Sequence, residues 1–301
     1  MDIHRRLCNC FQLASPGRPD PWYCVRCHNR LFGLGATLVV DEAMSMWLGA
    51  DGAKEARGLP HVTKIQRKPR GIGSELKNLA DVDSRVMLKL EIQKGKEIQR
   101  TLEYTKNHNA GTALTLRLTK AYHASGRRVI GDSAFGSVPC ALALLNVGLH
   151  LDVKVKQAHR MYPRQFLLDD DRYPERGDHI VLKAKVDGHT MYAVGYRDSS
   201  IQTLVSTSGT TLPGWHVLER PQWVLPEVSD MVELKIPCPQ MFIEHHKGAL
   251  VIDVLNHYRQ GSETSHRTLK WWMRLFHTMF GIYMCYGCLA RLAYTQPQQR
   301  C

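Results

Sequence analysis

The sequence lacks the features that send a protein into or across a membrane. Its first ten residues, MDIHRRLCNC, contain no apolar segment of the kind that a secretory signal peptide needs. The most apolar late stretch, residues 271–290, is interrupted by Arg274 and His277, so its uninterrupted run is shorter than the roughly 20 residues that cross a bilayer. We therefore expect an intracellular chain without a membrane partner, and a buried helix at residues 271–290.

Acidic residues are scarce relative to basic ones. The 301 residues include 28 Asp and Glu against 40 Lys and Arg, which gives a formal net charge of +12. Such an excess indicates a polyanionic partner such as nucleic acid, although a basic soluble enzyme without one is the alternative. Hydrophobic residues make up 44% of the chain, which excludes a disordered tail and suits about two domains with a sizeable core.

Basic residues are concentrated in one loop-rich connector. Lys64, Arg67, Lys68 and Arg70 lie close together in the segment KIQRKPR. We predict that these four side chains contact DNA phosphates, and a solvated loop is the alternative.

The nine cysteines come without a secretory context, which favours free thiols or metal ligands over disulfides. Cys8, Cys10, Cys24 and Cys27, with His28 beside them, have a C-x-C and C-x-x-C spacing that could bind zinc tetrahedrally. Thiols on an irregular segment without a metal are the alternative.

Regular patterning begins at Thr37. The segment TLVVDEAMSMW predicts a strand followed by the start of a helix. Two strands, Leu76–Ala80 and Val86–Ile92, are predicted as a hairpin joined by residues 81–85. Asp81 falls at the end of the first of these strands.

A second aspartate, Asp132, stands between a short β-branched run and a turn of small residues in RRVIGDSAFGSVPCALALL. Pro139 suits the first turn of the helix that follows, and HLDVKVKQA predicts another strand. In α/β folds the carboxyl ends of strands are where ligands and metals bind; a turn or helix cap is the alternative for Asp132. The order of elements predicts an α/β sheet with acids at two strand ends.

The rest of the chain changes character twice. Residues 159–240 are rich in turn formers and strand-like pieces, HIVLKAKV, TMYAVGYRD and IQTLVSTSG, and indicate an antiparallel β insertion. A helix then follows in GALVIDVLNHYRQG, with Leu250, Val254 and Tyr258 on one face. Its opposite, polar face carries Asp253, Asn256, His257 and Gln260.

Asp81, Asp132 and Asp253 together form the kind of set that two-metal phosphoryl transfer needs. In such sites, carboxylates hold two divalent cations about 3.5–4 Å apart, which stabilise the attacking and leaving oxygens. Oxygen ligands of this type suit Mg²⁺. Surface aspartates can produce the same pattern without binding metal.

From about Thr37 to Tyr294 the sequence also resembles the piggyBac-type DNA transposases, which are transposable element-derived proteins. The resemblance rests on the order of VVDEAMSMWLG, KIQRKPRGIGSELKNLADVDSRVM, VIGDSAFGSVPCALAL, VKVKQAHRMYPRQF, YAVGYRDSSIQTLVSTSG and HHKGALVIDVLNHYRQGS. It implies an α/β, RNase H-like catalytic domain with a β-rich insertion and flanking helical elements. By similarity, the catalytic, metal-binding aspartates fall on Asp81, Asp132 and Asp253, with Mg²⁺ or Mn²⁺ as cofactor.

The resemblance also implies metal-dependent DNA strand cleavage and transfer. Its partners would be double-stranded DNA, with hairpinned transposon ends and TTAA targets, and a second copy in a homodimer within the nucleus. The expected segments are 1–36 as an irregular entrance, 37–75 as part of a dimerisation and DNA-binding region, 76–158 as the first part of the catalytic domain, 159–240 as the insertion, and 241–301 as the catalytic helix and C-terminal helical region.

One departure from the family concerns the helix after the insertion. The family usually has a second aspartate three residues after the one matching Asp253, and this chain has Asn256 there. Asparagine keeps an oxygen ligand but loses a negative charge, which should weaken cation binding. The alternative functions are therefore a domesticated or decayed nuclear DNA-binding protein without turnover, or an interaction scaffold.

Overall fold

The computed structural model describes residues 34–47, 61–65, 71–155, 161–209, 213–225, 228–263 and 270–295. The chain divides into two compact units. The first unit comprises residues up to 106, 117–122 and from 251 onward, and the second comprises 107–116 and 123–250. The residues of the predicted zinc site and three of the predicted DNA contacts lie outside the described residues: Cys8, Cys10, Cys24, Cys27, His28, Arg67, Lys68 and Arg70.

The first unit contains four antiparallel strands. They are β1 (Thr37–Met46), β2 (Thr63–Lys64), β3 (Ile72–Asp81) and β4 (Met87–Ile92). Strand β1 pairs with β3 from Leu38 opposite Asp81 to Met46 opposite Gly73, and both β2 and β4 pair with β3. The predicted hairpin with Asp81 at its first strand end is confirmed.

The helix start predicted within DEAMSMW is wrong, because the strand β1 continues through Met46. Ala and Met favour helices in isolation. Here the backbone of these residues is hydrogen-bonded to β3 along the whole segment, and Ala43, Met44 and Met46 are buried. Pairing and burial therefore override the local preference.

The second unit contains five strands of a mixed sheet. Its strands are β5 (Arg128–Gly131), β6 (His150–Lys154), β7 (His179–Val186), β8 (His189–Arg197) and β9 (Ile201–Ser206). They follow the order β5-β6-β9-β8-β7, with β5 and β6 parallel and the other pairs antiparallel. The three predicted strands after residue 159 therefore continue the sheet of β5 and β6.

A separate pair of long strands follows in the second unit. Strands β10 (Pro213–Leu225) and β11 (Val228–Pro239) pair antiparallel with each other in a two-stranded sheet. This ribbon leads directly into the helix that carries Asp253.

Six helices accompany the described strands. They are α1 (Lys96–Thr101), α2 (Ala110–Thr119), α3 (Val138–Asn146), α4 (Arg164–Leu167), α5 (Gln240–Glu263) and α6 (Trp271–Thr295), with 3₁₀ turns at Lys120–Tyr122 and Asp170–Arg172. Of the helices that the structure describes, none combines the length and apolar composition that crossing a membrane requires.

The start of α3 follows the predicted chemistry. The Ser137 side chain accepts a hydrogen bond from the backbone N–H of Cys140, at 3.1 Å, which satisfies a donor that the first helical turn leaves unpaired. Pro139 lies in that first turn. The transition from β5 through Asp132 to α3 is thus fixed locally.

Each unit has its own apolar core. In the second unit, Tyr196 and Phe242 pack with ring centroids 5.1 Å apart among buried side chains of β8, β9 and α5. In the first unit, Ile282 of α6 packs on Val86 and Met87 at the start of β4. Only part of the surface of α5 and of α6 therefore packs against strands.

The outer surfaces of these two helices differ from a simple reading of the sequence. The apolar side chains Leu250 and Tyr258 of α5 are 60% and 65% exposed, whereas Ile252, Leu255 and Arg259 are buried. Helix α6 is not buried all round, because it exposes large apolar side chains. These are Trp272, Met273, Phe276, Phe280 and Met284. The predicted burial of the helix at residues 271–290 is therefore wrong for these five side chains.

Candidate functional site

Asp132 directly follows β5 and is half-buried. Its Oδ1 accepts a hydrogen bond from the backbone N–H of Ala134 at 2.7 Å, and its carbonyl oxygen accepts one from Phe135 N–H at 3.1 Å. Within the described segments, Oδ2 has no hydrogen-bond partner. Asp132 therefore caps the turn through Oδ1, and Oδ2 is left without a hydrogen bond in the described part of the chain.

The strand end beside Asp132 is held by a histidine of α5. His245 is 1% exposed, and its Nε2 lies 3.0 Å from the carbonyl oxygen of Gly131. Because a carbonyl oxygen only accepts, Nε2 must carry the proton. Burial is the main cause that lowers the pKa of His245 to about 4; the hydrogen bond to Gly131 partly offsets it, and the charges of Lys154 and His246 contribute to the lowering. The imidazole is therefore neutral. This role could not be predicted from the sequence, because Gly131 and His245 are far apart in the chain.

Lys154 is the last residue of β6 and stands next to Asp132. The parallel register pairs Gly131 with Val153, so the following positions, Asp132 and Lys154, are neighbours across the two strands. Lys154 is half-buried. Burial lowers the pKa of its ammonium, while the charge of Asp132 raises it. The turn after Asp132 also packs on this strand end, since a Cβ on Gly136 would lie 2.0 Å from the Lys154 carbonyl oxygen.

A buried ionic network lies behind this strand end. Asp152 of β6 is 1% exposed, its Oδ2 is 3.2 Å from Arg128 Nη1, and its Oδ1 accepts from Ser206 Oγ at 2.5 Å. Arg128 also bonds to Glu244 of α5. Burial raises the pKa of Asp152, although Ser206 and Arg128 partly offset this. The network joins β5, β6, β9 and α5, and so fixes the elements that carry Asp132.

Asp81 ends β3 in the first unit and has a different environment. It is fully buried. Oδ1 accepts from Gly35 N–H at 3.0 Å, and Oδ2 accepts from Ser84 N–H at 2.7 Å and from Ser84 Oγ at 2.6 Å. A carboxylate has about four lone-pair positions, so these three donors leave one. Asp81 closes the β3–β4 hairpin in this arrangement.

Asp253 and Asn256 both lie on the part of α5 that belongs to the first unit. Asp253 is exposed and, within the described residues, has no hydrogen-bond or ion-pair partner. Asn256 is 7% exposed. Its Oδ1 accepts from Arg259 Nη2 at 3.4 Å, and the same nitrogen donates to the Met44 carbonyl oxygen at 3.1 Å. The amide thus faces the interior of the unit, and the carboxylate of Asp253 faces solvent.

The predicted site residues are therefore distributed over both units. Asp132 belongs to the second unit, whereas Asp81, Asp253 and Asn256 belong to the first. Their convergence on metal ions stays a prediction. Of the predicted DNA contacts, Lys64 is described, and it is exposed on β2.

A comparison with protein families identifies the sequence class. The model of the family Transposase IS4 matches residues 24–285, which is most of the chain and includes all three predicted catalytic aspartates. No curated protein matches the sequence.

A comparison with solved structures identifies the fold. The chain is similar to the protein in a cryo-EM structure of the piggyBac transposase synaptic complex with hairpin DNA, with a TM-score of 0.64 and 20% sequence identity. The similarity covers 93% of this chain and 55% of the piggyBac chain, so this chain spans about half of that protein's length. The predicted α/β, RNase H-like fold is confirmed. The chain belongs to the Transposase IS4 family, with the fold of piggyBac transposase.

Proposed function

We propose that this chain is a transposase catalytic domain that cleaves and joins DNA strands, with Asp81, Asp132 and Asp253 as acidic ligands for divalent metal ions. One observation carries the proposal. In a chain of the Transposase IS4 family, Asp132 stands at the carboxyl end of β5 with one carboxylate oxygen available. That sheet edge is where α/β proteins bind ligands and metals.

The three carboxylates fit a divalent cation to different degrees. Asp132 and Asp253 offer oxygens that described residues leave unbonded, which suits Mg²⁺ or Mn²⁺. Asp81 keeps one lone-pair position beside its three donors. When bound, such ions stabilise negative charge on the attacking and leaving oxygens of a phosphodiester. The protein's own part is to hold the ligands, with His245 fixing the strand end that carries Asp132.

The proposed partner is double-stranded DNA. The similar piggyBac structure is a synaptic complex with hairpin DNA, and this chain's net charge of +12 suits a polyanion. Lys64, Arg67, Lys68 and Arg70 are the proposed phosphate contacts. Transposon ends, TTAA targets, homodimerisation and a nuclear location belong to the same proposal.

Asn256 supports a second candidate function, a DNA-binding protein of the same family without turnover. Its amide is buried against Arg259, where the family usually has a further carboxylate. A site with one acid fewer would bind cations more weakly. Under this reading the basic surface is retained while cleavage is lost.

The test is cleavage of a hairpin-ended duplex with a TTAA flank, in the presence of Mn²⁺ or Mg²⁺. We expect metal-dependent nicking by the unmodified protein and its loss by orders of magnitude in Asp132→Asn. Asp171→Asn is the matched control, since Asp171 is an exposed aspartate of the same unit. Retained nicking in Asp132→Asn would refute the assignment, and DNA binding without nicking by the unmodified protein would favour the second candidate.

A further inference from the structure

Lys154 has three properties that in combination distinguish it from a solvated surface lysine. It is half-buried at the end of β6. It makes no hydrogen bond or ion pair with any residue in the described part of the chain. Its neighbour Asp132 is near enough to affect its pKa, but no ion pair forms between the ammonium and this carboxylate. The ammonium is therefore partly desolvated and has no bonded anion.

No described carboxylate of the second unit forms an ion pair with Lys154. Asp152, a buried carboxylate two residues earlier on β6, already accepts from Arg128 and Ser206. His245, which is close enough to interact electrostatically, is a neutral donor to Gly131. A desolvated cation without a bonded anion is unfavourable, so the site suits an anion supplied by a ligand.

We propose that Lys154 binds a non-bridging oxygen of the DNA phosphate that is held at Asp132. This inference rests on the proposed function, because it takes the DNA backbone as the anion. The negative oxygens of a phosphodiester are stabilised both by a metal ion and by a direct hydrogen bond from a cation. Asp132 would hold the metal ion, and the adjacent ammonium of Lys154 would bind the oxygen directly. The fixed strand end keeps the two groups at a constant separation.

The first test measures the salt dependence of binding to a short duplex DNA with a central TTAA. Each phosphate that a protein neutralises contributes about 0.9 to the slope of log affinity against log salt concentration. We expect Lys154→Met to reduce the slope by about 0.9, and Lys154→Arg to retain it. Lys185→Met is the control, because Lys185 is exposed on β7 of the same unit, and it should leave the slope unchanged.

An unchanged slope in Lys154→Met, or an equal decrease in Lys185→Met, would overturn the inference. The thermal midpoint gives a second criterion, since removing a desolvated charge without a bonded partner should not lower it. A clear loss of stability in Lys154→Met would instead assign the ammonium a structural role and overturn the proposal.

The second test separates this inference from the proposed function. Without DNA, Lys154→Met should strengthen Mn²⁺ binding severalfold, because it removes a cation that repels the metal at Asp132, whereas Asp132→Asn should weaken it. If no variant binds Mn²⁺ or nicks DNA, the proposed function fails while the salt slope still decides on Lys154. If Mn²⁺ binds and Lys154→Met weakens it or leaves it unchanged, the inference about Lys154 fails.

Discussion

Asp132 and Asp81 both stand at the carboxyl end of a strand, yet their surroundings are opposite. Asp132 is half-buried and accepts one hydrogen bond through its side chain. Asp81 is fully buried and accepts three. The same residue type at the same sequence position relative to a strand therefore serves two different structural purposes.

The cause lies in the connection that follows each strand. After β3 the chain turns back at once into β4, and Ser84 in that turn donates twice to Asp81. After β5 the chain passes into α3. Ser137 caps the first turn of this helix, so the helix start needs no hydrogen-bond acceptor from Asp132. The hairpin turn uses both carboxylate oxygens of Asp81 in hydrogen bonds, whereas the strand-to-helix turn uses only one oxygen of Asp132.

The largest stability effect should come from Asp81→Ala. The change leaves the N–H groups of Gly35 and Ser84 without their acceptor at a partly buried position, and we expect a loss of about 3 kcal/mol in the free energy of unfolding. Urea denaturation measures it. Asp83→Ala, which removes an exposed carboxylate from the same turn, should change the free energy by less than about 0.5 kcal/mol.

An Asp132→Ala variant as destabilised as Asp81→Ala would contradict this difference between the two aspartates. Asp132 would then be needed chiefly for its turn. An Asp81→Ala variant that stays stable but loses Mn²⁺ binding would show that Asp81 is needed for the metal and not for the hairpin.

The sequence was sufficient to predict the strand ends, and insufficient to predict their environments. Turn formers and Pro139 mark the ends of β3 and β5, so the hairpin and the strand-to-helix turn were predicted correctly. Burial depends on partners distant in sequence, such as Gly35 for Asp81 and His245 for the strand end at Gly131. No periodic pattern in the sequence contains that information.

The helical region shows the same limit. Leu250 and Tyr258 form an apolar stripe at helical spacing, but the side of α5 that packs in the first unit carries Leu255 and Arg259. The guanidinium of Arg259 is buried because it bonds to the Met44 carbonyl oxygen of β1. The buried face of α5 therefore carries a charged residue and the exposed face carries Leu250 and Tyr258, which is the opposite of the pattern expected for an amphipathic helix.

Asp152 differs from both aspartates, because it is buried and paired with a cation. Removing the cation in Arg128→Met leaves this carboxylate buried without its partner, and we expect a loss of about 2–3 kcal/mol in the free energy of unfolding. Asp152→Asn should cost less, and the double variant should recover part of the loss.

Thermal and urea unfolding of the unmodified protein and the three variants measure the coupling between Arg128 and Asp152. Arg172→Met is the control, since its pair with Asp169 is largely exposed and should contribute less than about 1 kcal/mol. Equal losses in Arg128→Met and Arg172→Met would show that the network does not hold the strand end.

His245 makes the second unit sensitive to acid. Its pKa is about 4 in the folded protein against 6.5 for the ordinary side chain, so between these values the unfolded chain binds the proton and the folded chain does not. Stability therefore falls as the pH decreases below 6.5, by roughly 2 kcal/mol at pH 5, and this contribution levels off below pH 4. Urea unfolding across this range measures the loss.

His245→Gln is the comparison variant, because its amide can still donate to the Gly131 carbonyl but does not titrate. The difference in stability between the two proteins should narrow as the pH falls from 7 to 5. A constant difference would mean that His245 is already charged, or already reached by water, in the folded protein.

The smallest effect is expected from Asn256→Asp, which introduces the carboxylate that the resemblance to the piggyBac-type transposases implies at this position. The new carboxylate would lie beside the Arg259 guanidinium, which is already 3.4 Å from the Asn256 oxygen. An ion pair there gains attraction but also requires both charges to be desolvated, so we expect a change of less than about 1 kcal/mol in stability.

Because Arg259 would hold the carboxylate, the Mn²⁺ affinity of Asn256→Asp should also stay close to that of the unmodified protein. Asp253→Asn, which alters the exposed acid one turn earlier, should reduce the Mn²⁺ affinity. A marked rise in Mn²⁺ affinity and in nicking by Asn256→Asp would contradict this expectation. It would show that the residue at 256 turns away from Arg259 to join the metal ligands, and that the asparagine is what limits cleavage in this chain.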